Sequence, residues 1–495
     1  MSKSVTRDPT LPQSLIPVAL LIVMLWASVR LFGDGSSSGP NQMALLLAAA
    51  SAVLVGMWNG HKWDDLQEGM IQGVSISMGA IFILFTVGSL IGTWIMAGIV
   101  PAMIYYGLLL LHPSIFYLAT VLICAVVSIA IGSSWTTAGT VGVALIGIAG
   151  ALDVSLTIAA GAVISGSYFG DKLSPLSDTT NLAPAMTGTD LFTHIRHLLW
   201  TTIPALVIAC ILFLILGWDV EAEGGDLQPF MDSLSGQFDM GWHLMIPPAI
   251  VLFMVAKRVP ALPALLAGAL IGGVFAVVFQ QDAVLRFVDS PELARPVALL
   301  KGFWLSLFDG FSSDTGNERL DDLLTRGGMS SMLTTVWLIL TAMIFGSVME
   351  TTGKLSRIAA TILASVQSTG SLIFATIVTA IGTNIVASDQ YISIVLPGRM
   401  FRAEFAKRKL HPKNLSRCLE DAGTMTSSLV PWNTGGAYMA GTLGVPTLAY
   451  LPFCFINLLS PVISAIYGFT GFTIEKLEES PPPADLAARQ FASND

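Results

Sequence analysis

Residues 170–181 read GDKLSPLSDTTN, two aspartates, a lysine and five hydroxyl- or amide-bearing side chains around one proline. The chain is apolar on both sides, GAVISGSYF before and LAPAM after. The preceding run, roughly residues 154–169, would make about 24 Å of helix, against about 30 Å of hydrocarbon in a bilayer. A span starting there must take in part of the polar stretch. Pro175 has no backbone donor, so the spacing predicts a break inside a spanning helix rather than a solvent loop. Non-helical backbone at that depth is tolerated where it is buried in protein or lines a wet cavity.

Composition points the same way. The chain has 495 residues, 53% hydrophobic and 12% charged, with a mean hydropathy of +0.72. Soluble domains carry roughly 25% charged residues. Runs such as LIPVALLIVMLWASVRLF (15–32) and LVIACILFLILGW (206–218) suit bilayer crossing. The fold class expected is all-α, a polytopic membrane protein of about 12–14 membrane segments, since only helices or closed barrels satisfy backbone groups in lipid. Cys124, Cys210, Cys418 and Cys454 show neither disulfide nor metal-type spacing. No P-loop pattern is present, which argues against a nucleotide-driven pump within this chain.

Lys and Arg favour cytoplasmic loops. The basic stretch 398–417, with Arg399, Arg402, Lys407, Arg408, Lys409, Lys413 and Arg417, is therefore placed inside, and the acidic segment 218–241, which has no base, outside. The N-terminus, 60–72, 193–197 and Lys257–Arg258 thread inside, and 281–330 is read as mostly external with amphipathic pieces. The expected location is the cytoplasmic membrane, multi-pass, with both termini cytoplasmic.

The polar stretch has a counterpart. IGSSWTTAG (131–139), GD (170–171) and PLSDTTN (175–181) are matched by IGTNIVASD (381–389), ED (420–421) and VPWNTGG (430–436). Gly132 precedes Asp171 by the same interval as Gly382 precedes Asp421. Between these motifs the first copy has GIAGALDVSL without a base, where the second has the basic cluster. The following loops reverse that bias, so equivalent loops fall on opposite faces. Two inverted repeats of five segments, with broken helices or re-entrant hairpins, are expected, as in many secondary transporters. The boundaries drawn are 1–72 for an N-terminal pair of spanning helices, 73–217 for the first repeat, and 218–330 for a connector with two helices and amphipathic segments. The second repeat is 331–472 and a cytoplasmic tail 473–495. Whether 113–150 and 371–398 cross or re-enter stays open.

GSYFGDKLSPLSDTTNLAP (166–184), GSLIGTWIMAGIVP (88–101), GSSWTTAGTVGVALIGI (132–148) and EDAGTMTSSLVPWNTGGAYM (420–439) resemble the NhaC family of sodium/proton antiporters, within the ion-transporter superfamily. The resemblance covers about residues 75–470. It implies a secondary active transporter rather than an enzyme, with Na+ and H+ as transported partners, no cofactor and no nucleic acid. It also implies scaffold and transport domains in the lipid bilayer, often as a homodimer. Relatives that exchange malate for lactate keep an organic-anion exchanger of the same fold, coupled to Na+ or H+, as the alternative.

Na+ is a hard cation that prefers oxygen ligands, and an intramembrane carboxylate is a functional candidate by default. Asp178 is the leading candidate for a buried carboxylate that holds Na+ and H+ in turn, followed by Asp171, Asp389 and Asp421. Neutral oxygens are expected from Ser174, Thr179, Thr180 and Asn181 in one copy, and from Thr383, Asn384, Asn433 and Thr434 in the other. The Na+ position expected is Asp178, Thr179, Asn384 and Asn433. Asp171 beside Lys172 is the carboxylate best placed to be a structural ion pair instead.

Overall fold

A computed structural model describes residues 6–218, 228–314 and 318–477. Residues 219–227 of the acidic segment, the tail beyond residue 477 and Lys3 lie outside the described residues. The rest is helical, the extended structure among the described residues being two isolated bridges, Phe311–Arg326 and Leu410–Lys476.

The chain opens with α1 (Leu11–Phe32) and α2 (Pro40–Trp58). Next come α3 (Trp63–Met96), α4 (Ile99–Leu110), α5 (Phe116–Ile131), α6 (Ser134–Leu152, with a π-helical turn at Ala138–Gly142), α7 (Leu156–Leu173), α8 (Asp178–Thr187) and α9 (Leu191–Trp218). The connector holds α10 (Ile246–Ala256), α11 (Ala261–Phe279) and α12 (Arg295–Phe308), with short helices between. Then follow α13 (Leu333–Thr351), α14 (Lys354–Ala364), α15 (Thr369–Val386), α16 (Gln390–Lys407), α17 (412–427, with a π-helical turn at Leu419–Thr424), α18 (Thr434–Leu443) and α19 (Phe455–Thr470).

The order α3 to α9 recurs as α13 to α19. In both series a short helix follows the first long one across a left-handed glycine, Gly98 at φ 71° and Gly353 at φ 70°. Each series then has two interrupted helices, α5–α6 and α7–α8 against α15–α16 and α17–α18. Each closes its second interrupted helix on another left-handed glycine, Gly188 or Gly444. Positive φ costs glycine nothing because it has no Cβ.

Nine described helices are long and apolar enough to cross a bilayer, or up to eleven if each of two bent pairs counts as one span. This is fewer than the 12–14 segments expected, because short interrupted helices such as α8 and α18 are not long apolar spans by themselves. Large apolar side chains face outward along the spans, among them Trp26, Val207 and Ile215. Trp58, Trp218 and Trp242 stand exposed at or beside helix ends, the position that suits an amphipathic ring at a membrane interface.

The connector packs on α3. The Trp94 indole donates to the Gly268 carbonyl at 3.0 Å, and Gly328 N donates to the Gly88 carbonyl at 2.7 Å. A Cβ on Gly92 would lie 2.2 Å from the Ser306 carbonyl oxygen, so the glycines of GSLIG admit backbone where a larger residue would not fit. α3 thereby stands between the connector and the interrupted helices.

Candidate functional site

Four breaks meet on one cavity of 800 Å³, lined among others by Gly132 and Ser133, Pro175 and Leu176, Asp389 and Gln390, and Thr434. Each of these four places belongs to a different interruption. Each interruption begins a helix whose first amides need acceptors, and side chains supply them.

Gly132, at φ 76°, ends α5, and Ser133 caps α6, its Oγ accepting from Thr136 N at 3.2 Å. Asp171, from the end of α7, accepts from Ser134 N at 3.1 Å and Ser134 Oγ at 2.6 Å. The break after α7 runs Ser174–Pro175–Leu176–Ser177. Ser177 Oγ there accepts from Thr180 N at 3.3 Å, and Asp178 is the first residue of α8. Asp389 caps α16 through Oδ1, accepting from Tyr391 N at 2.9 Å and Ile392 N at 3.0 Å. Asn433 caps α18 through Gly435 N at 2.9 Å, and Thr434 N donates to the Ser388 carbonyl at 3.0 Å, tying the last two breaks together.

Helix N-termini carry partial positive charge and stabilise anions. Four of them open on this cavity with Asp171, Asp178 and Asp389, while Arg258 is the basic residue on its wall. The lining is acid-rich and suits a cation.

The expected residues divide into groups. Asp171 and Asp389 are buried on the cavity wall. Asp178 is on the same wall but is not buried: its carboxylate is exposed and accepts from Tyr391 Oη at 2.8 Å. The expectation of a buried Asp178 is corrected, because the first turn of a helix points its side chain out of the break into the open space before it. Asp421 is fully buried away from the cavity lining and pairs with Lys172, also fully buried, while Thr201 Oγ1 donates to it at 3.0 Å. The alternative of an Asp171–Lys172 ion pair is not what the structure has, since Lys172 pairs with Asp421. Adjacent residues on a helix do not face each other, so Lys172 turns toward the other copy.

The four residues expected to hold Na+ do not form one cage. Asn433 Nδ2 donates to Asn384 Oδ1 at 3.0 Å, and Asn384 Nδ2 to the Gly423 carbonyl at 2.6 Å. Both amides are buried and engaged with broken-helix backbone. Asp178 makes no hydrogen bond to either among the described residues, and Thr179 Oγ1 donates to Glu420 Oε1 at 3.1 Å. Thr180 Oγ1 donates to the Asp171 carbonyl at 3.0 Å, Thr383 Oγ1 to the Thr379 carbonyl at 2.8 Å, and Asn181 Nδ2 to the Ser177 carbonyl at 2.6 Å. Ser174 Oγ accepts from Leu176 N at 3.3 Å. Apart from Thr383, whose bond lies within α15, these neutral groups engage backbone at or beside the breaks.

Glu420 was missed. It is fully buried, and its Oε2 has no hydrogen-bond partner among the described residues. The signal was available in the ED pair at 420–421: two acids side by side in apolar chain face different neighbours, so both needed an account. Tyr391, the partner of Asp178, carried no signal beyond its place after the Asp389 cap.

A second cavity, 340 Å³, is lined by Ile91, Val143, Arg326, Gly441, Thr442 and Gly444 among others. The larger one meets α3 at Ile76–Ile83, α6 at Trp135–Thr136 and α18 at Thr434. The two therefore sit at opposite ends of the same helices, ten residues of α18 being about 15 Å. Between them Trp135 stacks on Tyr438, with centroids 4.2 Å apart and planes 15° apart, and Tyr438 Oη donates to the Trp135 carbonyl at 2.7 Å. Gly139 abuts this stack: a Cβ there would fall 2.8 Å from Tyr438 Oη and 3.2 Å from Val87.

A family model, the Na+/H+ antiporter family, matches residues 166–472. The chain is 41% identical to a Na+/H+ antiporter NhaC of Alkalihalophilus pseudofirmus, over 88% of this chain and 91% of that one. It is 38% identical to a malate-2H+/Na+-lactate antiporter of Bacillus subtilis, over 94% and 96%. It is 37% identical to the arginine/ornithine antiporter ArcD of Halobacterium salinarum, over 97% of each. A multi-pass helical chain matched by this family model over more than half of its length, and this similar to its relatives, belongs to the Na+/H+ antiporter family.

Proposed function

We propose that the chain exchanges Na+ for H+ across a cytoplasmic membrane, using the cavity where the four breaks meet. The observation that carries this is the convergence there of Asp171, Asp178 and Asp389. Na+ enters the cavity and is held by carboxylate oxygens with neutral oxygens such as those of Thr434 and Ser133. A proton on the same carboxylate removes its charge and excludes Na+, and mutual exclusion with alternating access is enough for antiport. Ser177 Oγ, Thr179 Oγ1 and Glu420 Oε1 follow one another at 3.1 Å each, a hydroxyl relay from the cavity to a buried carboxyl that stores a second proton.

Residues 73–217 and 331–472 serve as the two repeats, inverted by the charge bias of their loops. Arg258 on the wall of the larger cavity supports a cytoplasmic mouth there, on the side taken for both termini, because basic residues favour that side, and the Trp135–Tyr438 stack serves as the closed barrier.

The test is Na+-driven proton movement in everted vesicles. Asp171→Asn and Asp178→Asn fold, since each amide keeps one acceptor oxygen, and each reduces exchange to background. Wild-type exchange in both folded variants would overturn the assignment.

Organic solute exchange is the second candidate, favoured by size: 800 Å³ exceeds what a bare Na+ requires and lies in the range of small-molecule pockets. Flux scanned over Na+, Li+, K+, malate, lactate and arginine separates the two.

A further inference from the structure

We propose that the smaller cavity is a binding site for a small carboxylate-bearing solute, with Arg326 as its anchor. The Arg326 backbone is pinned by reciprocal hydrogen bonds with Phe311, both 3.0 Å, so the side chain projects from a fixed point. Its guanidinium lies against Gly444, where a Cβ would stand 2.6 Å from Nη2. Gly444 has φ +71°, a backbone conformation that favours glycine, and the absent side chain leaves this space to the guanidinium. Among the described residues no carboxylate pairs with this guanidinium, and no side chain or carbonyl accepts from it. Asp309 shares the cavity, but its carboxylate accepts from Ser330 Oγ at 3.3 Å.

Thr442 points to the same ligand independently. It is 3% exposed, lines the cavity, and its Oγ1 makes no hydrogen bond. A planar five-donor fork with no acceptor and a buried threonine whose hydroxyl has no partner line one space of 340 Å³. A carboxylate matches the fork with two parallel hydrogen bonds, and a monatomic anion does not. A molecule of a few carbons fits the volume. This cavity lies across the Trp135–Tyr438 stack from the acid-rich one, so it is a separate site and does not depend on Na+/H+ exchange through the first.

The test is binding, read without transport. The full chain in nanodiscs is titrated with sodium L-malate, sodium L-lactate, sodium sulfate and sodium chloride at matched Na+, by calorimetry and thermal shift. A carboxylate saturates while chloride and sulfate do not. Arg326→Gln weakens that binding about 10- to 100-fold, Arg326→Lys weakens it less because charge remains but the fork is lost, and Asp178→Asn leaves it unchanged. Thr442→Val, which removes no internal hydrogen bond, folds normally and weakens binding roughly three- to tenfold. Absence of saturable carboxylate binding, equal binding of chloride or sulfate, or wild-type affinity in either Arg326→Gln or Thr442→Val would overturn the proposal.

Discussion

Lys172 and Asp421 form a fully buried ion pair between α7 and the π-helical turn of α17, joining the two halves of the chain. Removing one partner leaves the other charge without compensation in a low-dielectric interior. Asp421→Asn keeps the shape and an acceptor for the Thr201 hydroxyl, so the loss isolates the charge. The expected cost is about 3–5 kcal/mol, which is roughly 150- to 5,000-fold in the folding equilibrium. Lys172→Met should cost a similar amount. The double variant Lys172→Met/Asp421→Leu replaces both charges by apolar volume and should recover most of the loss, because a buried pair is often no better than a packed hydrophobic contact. The measurement is an unfolding titration of the detergent-solubilised full chain, arranged as a double-mutant cycle with a coupling energy of about 2 kcal/mol or more. If Asp421→Asn unfolds like the wild type, or the double variant loses the sum of the singles, the pair does not hold the halves together.

Two further expectations concern the path. Gly139→Val adds a Cβ 2.8 Å from Tyr438 Oη. It should stop exchange by wedging the aromatic barrier while lowering stability by only about 1–3 kcal/mol, and flux at the wild-type rate would show that the barrier lies elsewhere. Protons compete with Na+ in the proposed scheme, so the apparent KM for Na+ rises as pH falls, by up to about tenfold per pH unit for each competing proton. Glu420→Gln retains an acceptor for Thr179 and should make that slope shallower. A slope equal to wild type would remove Glu420 from proton handling.

Much of the architecture was legible because its causes are local. A proline at 175 or 431 beside polar cap residues and a glycine at 132 before Ser133 favour a helix break locally, and an apolar run of limited length must borrow polar residues to reach across a bilayer. Ser133, Ser177, Asp389 and Asn433 are good N-cap residue types, and all four cap as their chemistry allows. The recurrence of two interrupted helices in each half was likewise visible as spaced motifs. By itself, then, the chain determined that it is a membrane-spanning helical protein interrupted four times by polar breaks.

Which acid does what was decided by tertiary structure. Asp171, Asp178, Glu420 and Asp421 are similar groups in similar local surroundings, yet one caps a neighbouring helix, one faces open space, one accepts from a threonine hydroxyl and one is tied to a lysine. The partners that distinguish them, Ser134, Tyr391, Thr179 and Lys172, come from other helices, and Lys172 and Asp421 are 249 residues apart in sequence. A charge in a dry interior is governed by whatever lies within a few ångströms of it, and those few ångströms are set by packing between distant elements.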